Sequence, residues 1–171
     1  MKIVAADIAS ATGVAVDRED GRPRCMTWHT REGADMWAAG LAFADRLDSL
    51  LALEKPGLLA IEAPVLGNSG GKVFTSELLI GLAFMAGVVA RARGIRFERV
   101  HVQTVRRHLL NQGRPNNPKR AVMERCRLLG WEVRNDNEAD AAAVWAFAKA
   151  SWDGSFRLEA ATPMFSRVEA G

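Results

Sequence analysis

Cysteine is scarce in this chain: its 171 residues include two, Cys25 and Cys126, far apart and outside any CxxC or Cys-x-His pattern. That excludes a disulfide framework or a zinc motif as the basis of the fold. A reducing cytoplasm is the expected setting. Long apolar runs are missing as well. The longest uncharged apolar stretch, Leu78 to Ala90, falls short of the ~20 residues that span a bilayer. The opening MKIVAAD enters a strand-like run without the apolar core of a signal peptide. Neither secretion nor membrane insertion is expected. The three histidines, His29, His101 and His108, have no metal-ligand spacing, and structural roles are expected for them. There is no internal repeat, low-complexity tract or linker.

What is present is an ordinary globular balance, 49% hydrophobic and 25% charged, in a length that suits one domain with a full core. The expected organisation is a single domain over 1–150 and a C-terminal tail over 151–171. Net charge is only +3, but it is unevenly spread. Between Arg91 and Arg134 stand twelve Lys or Arg against three Glu, a local excess of nine. Elsewhere eleven basic residues face seventeen acidic ones. A basic block of this kind favours a polyanion partner, because each neutralised phosphate releases condensed counterions. The competing reading is a solvated helix face.

Apolar periodicity outlines the elements. Lys2 to Ala6 is a strand ending at Asp7, Gly13 to Asp17 a second, and Arg22 to Thr30 a third after the hairpin signal Asp20-Gly21. Asp35 to Leu53 is helical, with Trp37, Leu41, Ala44, Leu47 and Leu51 on one face. Pro56-Gly57 stops that helix. Leu58 to Ile61 is a buried central strand ending in Glu62. A helix over 75–93 is apolar all round from Leu78 to Ala90, which fits either a core helix or one packed on a second subunit. A strand over Ile95 to Val102 precedes helices over Thr104 to Leu110, Lys119 to Leu129 and Asn137 to Ala150. Three strands in a meander, then strands alternating with helices, specify an α/β fold. Its mixed sheet has three antiparallel strands followed by parallel ones, flanked by helices.

Three acids occupy unusual places. Asp7 ends the first strand, Glu62 ends the fourth, and Asp140 lies early in the last helix. Any one alone reads as a solvent-facing end. Together, strand ends on one edge of a sheet, with a helix beside them, make a carboxylate cluster. Such a cluster requires compensating cations, and hard oxygen donors suit Mg²⁺ or Mn²⁺. Two such ions ~3.5–4 Å apart activate a water and stabilise the leaving oxygen of a phosphodiester. Asp136 and Asn137, four and three residues before Asp140, share its face if the helix starts early enough. Glu138 points elsewhere, as a first-turn acid.

These residues resemble the motifs of RuvC-type Holliday junction resolvases. DIASATGVAV from Asp7 is similar to the opening motif of that family, AIEAP around Glu62 to its second, and EADAAAVWAFA around Asp140 to its closing helix. ELLIGLAFMAGVVARARGI resembles the long central helix, and VQTVRRHL and NPKRAVMERCRLLG the basic region beyond it. The matches run from about residue 2 to 150 in family order. The resemblance implies an RNase H-like fold, a homodimer through the 75–93 helix, two Mg²⁺ ions and paired nicks in four-way DNA junctions. It carries the catalytic acids onto Asp7, Glu62 and Asp140. It places Lys119 near the scissile phosphate and Arg106 near a basic family position. The compact form leans towards a phage-type member.

Two departures bear on the site. Where the family has an acid three residues before the closing aspartate, this chain has Asn137, so the second metal position is either weaker or built from Asp136. Where the family often has an aromatic wedge after the motif-two glutamate, Val65 stands here. Phe74 is then either a replacement wedge or core. Thr12 and Gly13 are expected to shape a tight turn behind Asp7. Arg106, Arg107, Arg114, Arg120, Arg125 and Arg127 are candidates for contacts to the DNA backbone, which position it without reading sequence. Trp37, Trp131 and Trp145 are expected to pack in or beside the core. The alternatives to a junction nuclease are an RNase H-like nuclease acting on RNA or linear DNA, and a non-catalytic nucleic-acid-binding module, which Asn137 motivates. An actin-like nucleotide-binding fold lacks support, since no second phosphate loop is visible.

Overall fold

The computed structural model describes residues 1–29, 35–64, 73–111, 116–153, 156 and 158, with 73–75 as backbone only. Five strands form one mixed sheet: β1 (Ile3–Asp7), β2 (Ala11–Asp17), β3 (Pro23–His29), β4 (Leu58–Glu62) and β5 (Arg96–Val100). Five helices flank it: α1 (Met36–Glu54), α2 (Val73–Ala92), α3 (Val102–Leu110), α4 (Pro118–Leu128) and α5 (Asp136–Trp152). The strand order is β3-β2-β1-β4-β5. β1 runs antiparallel to β2 and parallel to β4, β2 antiparallel to β3, and β4 parallel to β5. This is the mixed sheet, meander first, that the order of apolar segments predicts.

Period-two alternation divides the core. Ile3, Ala5, Leu58 and Ala60 pack with α3, α4 and α5. Val4, Ala6, Leu59 and Ile61 pack with α1 and α2. On the α5 side Trp145 is fully buried, meets Trp131 edge-to-face at 5.5 Å, and donates its indole N–H to Asp17 at 2.6 Å. Asp17 also accepts from Lys149 and from the backbone N–H of Ile3. This acid is thereby fully partnered, and it locks α5 to the start of β1.

Helix starts follow their caps. Asp35 accepts from the Ala38 N–H, Asn117 from that of Arg120, and Asn135 from that of Glu138. The last cap starts α5 at Asp136, which puts Asp136 and Asn137 in its first turn. The helix runs past residue 150 to Trp152, and Phe156 meets Trp145 at 5.4 Å.

The α1 stripe differs from its predicted form. Its buried residues are Ala39, Phe43, Leu47 and Leu51, spaced by four throughout. Trp37 and Leu41 are 78% and 65% exposed. They lie two residues, or roughly 200°, from Ala39 and Phe43, and so fall on the opposite face. β5 ends at Val100, since Val102 already belongs to α3.

Candidate functional site

The ends of β1 and β4 bring the first two acids together. The strands pair in parallel up to Ala6 and Ile61, and Asp7 and Glu62 follow next on each. By alternation both side chains belong with Ile3, Ala5, Leu58 and Ala60, on the face that α5 covers. Asp140, 7% exposed, comes down from the second turn of α5 onto that face.

Gly13 makes this approach possible. It pairs with Asp7 inside β2, and its missing Cβ leaves room for the Asn137 carbonyl. It lies within β2, and its φ is not positive, so its role is contact distance and not a turn. Thr12 does shape the β1–β2 connection: its hydroxyl donates to the Ala9 carbonyl at 2.8 Å.

Burial disturbs all three acids, and the Asp140 charge adds to it at Asp7 and Glu62. Burial raises the Asp7 carboxyl to about 6, with the Asp140 charge adding to it and Lys119 and Arg106 opposing it. Burial raises Glu62 to about 8, reinforced by Asp7 and Asp140 and opposed by Arg106 and Lys119. Burial also raises Asp140, against the pull of Arg106 and Lys119. Two cations therefore face three desolvated carboxylates. Arg106, on α3, brings Nη2 to 3.7 Å from Asp140, and its buried Nε has no hydrogen-bond partner. Lys119, at the start of α4, donates to Asp136 at 2.5 Å.

Glu138 is the acid that stands apart. It is 1% exposed and points to β3 and the α4–α5 connection. There it accepts from the Arg134 backbone N–H at 2.9 Å, from the Arg134 guanidinium, and from Thr27 at 3.1 Å.

The donor set suits a hard divalent cation. Three carboxylates offer oxygens, and burial has lifted their pKa values in a way that a bound cation reverses. Among the described residues no group of three or more His, Cys, Asp or Glu is already arranged to hold a metal ion.

The remaining predicted residues are spread around this centre. Arg107 is exposed on α3, and Arg120 is exposed on α4, paired with Glu124 at 2.8 Å. Arg127 is also exposed on α4, and Arg125 donates to the Leu109 carbonyl. Arg114 lies outside the described residues, as does the side chain of Phe74. His108 packs edge-to-face on Phe147, and Trp131 and Trp145 are core residues.

Two features were missed by sequence reasoning. One is Gly13 as a contact point, signalled by a glycine inside a strand. The other is the exposed stripe of Ile80, Phe84 and Val88 on α2. Their spacing by four signals it, but the all-apolar segment hid which face was covered.

No protein-family model and no curated protein matches the chain. Solved structures do match in fold. A Thermus thermophilus RuvC structure aligns at TM-score 0.65 and 17% identity, covering 84% of this chain and 90% of that one. T. thermophilus RuvC in complex with Holliday junction substrate aligns at TM-score 0.67 and 15% identity, over 84% and 89%. The yeast mitochondrial Holliday junction resolvase aligns at TM-score 0.54 and 11% identity, over 83% and 75%. The fold of this chain is therefore the RNase H-like fold, in the form that RuvC-type resolvase structures share.

Proposed function

We propose that this protein is a metal-dependent endonuclease that cuts phosphodiester bonds in branched DNA, as a Holliday junction resolvase. The carrying observation is the convergence of Asp7, Glu62 and Asp140 on one face at one end of the sheet, where Asp140 is buried, Asp7 and Glu62 are half-buried, and the Asp140 charge pushes up both Asp7 and Glu62. The resolvase structures of like fold support the substrate class. So does the basic excess between Arg91 and Arg134.

In this reading Asp7, Glu62 and Asp140 hold Mg²⁺ or Mn²⁺, two ions in all, with Asn137 as a neutral oxygen donor. When bound, the ions supply Lewis-acid activation of water and charge stabilisation at the phosphate. The chain's own residues do the rest. Asp7, Glu62 and Asp140 would supply the carboxylate oxygens that hold the ions, and the ions' charge would offset the repulsion among them. Asp140 stays oriented by Arg106. Lys119, exposed at the solvent side of the acids, meets a phosphate oxygen and offsets its developing charge. Arg107 and Arg120, with Arg114, contact the backbone of the DNA arms and fix its register.

Branched DNA presents two related strands, and a two-fold dimer would present two sites. The second copy packs on α2 through the exposed stripe Ile80, Phe84 and Val88. Among the described residues no helix is long and apolar enough to cross a membrane.

The test is cleavage of a synthetic four-way junction beside matched linear duplex, single strand and RNA, in Mg²⁺ and in Mn²⁺, with Asp7→Asn as control. Symmetric nicks in the junction alone, lost in Asp7→Asn, are the expected result. Cleavage of RNA or linear DNA in preference would move the protein to another nuclease class. Tight junction binding without cleavage in either metal would make it a binding module.

A further inference from the structure

One ion pair on the solvent side of the acid cluster joins two helix starts. Lys119 is the second residue of α4 and Asp136 the first of α5. Their contact is 2.5 Å, Nζ to Oδ2. Asp136 is the acid that sequence offers in place of the one missing at Asn137, yet its carboxylate is already engaged. Residues 136 and 140 share a helix face, so a cation bonded to Asp136 stands on the Asp140 side. Consistently, the charge of Lys119 acts on Asp7 and on Asp140 alike.

Stability does not account for the pair. Its side chains are 61% and 38% exposed, and ion pairs between exposed groups contribute little. What the contact changes is position. A lysine stem is long and flexible. Free in solvent, its ammonium would sample many positions. Tied to the first turn of α5, it stays beside the acids.

We propose that Asp136 is a positioning residue that holds Lys119 against the acid cluster, and that it is not a metal ligand. The inference rests on the proposed function, since it says what Lys119 is held for: the phosphate oxygen that enters beside Asp7 and Asp140. It leaves Asp140 as the one carboxylate that α5 gives to the metal.

The test uses the full chain as wild type, Asp136→Asn, Asp136→Glu, Lys119→Gln, the Asp136→Asn/Lys119→Gln double variant and Asp140→Asn, with folding checked by circular dichroism. Three readouts separate the possibilities. Acylation of Lys119 by an amine reagent, followed by mass spectrometry, reports the pair whether or not the protein is a nuclease. Asp136→Asn should raise its labelling severalfold relative to the other lysines, and unchanged labelling would refute the pair. Mn²⁺ titration by electron paramagnetic resonance reports ligation. Asp136→Asn should keep its Kd within about twofold of wild type, while Asp140→Asn weakens it about tenfold or more. Equal losses in the two variants would make Asp136 a ligand and overturn the proposal. Junction cleavage reports the purpose. Asp136→Asn should slow turnover about tenfold, Asp136→Glu should restore part of it, and the double variant should be no slower than Lys119→Gln. Additive losses would overturn the coupling. A wild type that cleaves nothing would reject the proposed function, and with it the purpose assigned to Lys119, while labelling and Mn²⁺ binding still decide the pair and the ligation.

Discussion

Gly13 and Asn137 are in backbone contact: a Cβ built on Gly13 would stand 1.9 Å from the Asn137 carbonyl oxygen and 2.4 Å from its carbon. Both neighbours are main chain, so no side chain can rotate away. Through this contact the first turn of α5 rests on β2 at the residue paired with Asp7. The distance between Asp140 and the strand-end acids is set there.

Gly13→Ala should therefore damage both stability and activity. Overpacking of this kind costs about 1–3 kcal/mol. A displacement near 1 Å at reacting groups costs roughly 100-fold in rate. Thermal denaturation and junction cleavage on the same preparation check the two effects. A variant with unchanged turnover would mean that α5 does not set the geometry.

The acids predict an unusual pH dependence for the metal-free protein. Folded Asp7 and Glu62 titrate at about 6 and about 8, above the ~4 of unfolded carboxylates. Between those limits the folded state binds more protons than the unfolded one, so stability falls as pH rises. Melting in chelator should show a decline from about pH 4 to about pH 8, on the order of a few kcal/mol. Mg²⁺ binds the ionised form, so its stabilisation should be larger at the alkaline end. Cleavage should also rise with pH as the carboxylates ionise, but from a lower pH, because the bound cation lowers their pKa values. A flat melting profile in chelator, with no rescue by Mg²⁺, would contradict the coupling.

Glu138 tests whether a buried acid in the same helix belongs to the chemistry. Its carboxylate accepts from the Arg134 backbone, the Arg134 guanidinium and Thr27. Removing it strands the Arg134 backbone N–H, while the Arg134 guanidinium reaches solvent and Thr27 keeps Asn135, and an unpaired buried partner costs ~1–3 kcal/mol. Glu138→Ala should melt earlier by that amount and keep its Mn²⁺ affinity. Loss of Mn²⁺ affinity in a variant that remains folded would place Glu138 in the metal site.

The sequence carried the sheet because each strand was a short apolar run bounded by turn residues, and its order constrained the pairing. Asp7, Glu62 and Asp140 were legible for the same reason: each is an acid where an apolar pattern stops or tightens. What escaped was relational. A glycine in a strand signals a close approach without saying what approaches; the Asn137 carbonyl, 124 residues away in the chain, supplies the answer. Trp37 and Leu41 fit the helical period as well as Ala39 and Phe43 do, and only the sheet beneath α1 selects the second set. Asp136 and Asn137 both stand as candidates from the sequence; that the cap at Asn135 puts both in the first turn of α5, and that Lys119 engages Asp136, is visible only in the structure.

The exposed stripe on α2 carries the last prediction. Leu78, Leu82, Ala83, Ala86 and Ala90 are buried against the sheet and α1, while Ile80, Phe84 and Val88 face outward at spacing four. Phe84 is 72% exposed. A continuous apolar row on one helix is a contact surface in search of its partner, and a second copy would meet it with the same row across a two-fold axis. Phe84→Glu puts a charge at the centre of that row. Because the side chain is exposed in the single chain, the substitution should leave the melting of the monomer within about 0.5 kcal/mol. It should convert a dimer into a monomer in sedimentation velocity. It should also uncouple cutting: the two strands of a junction would then be nicked in separate events. A Phe84→Glu protein that sediments as wild type does would remove α2 from the interface.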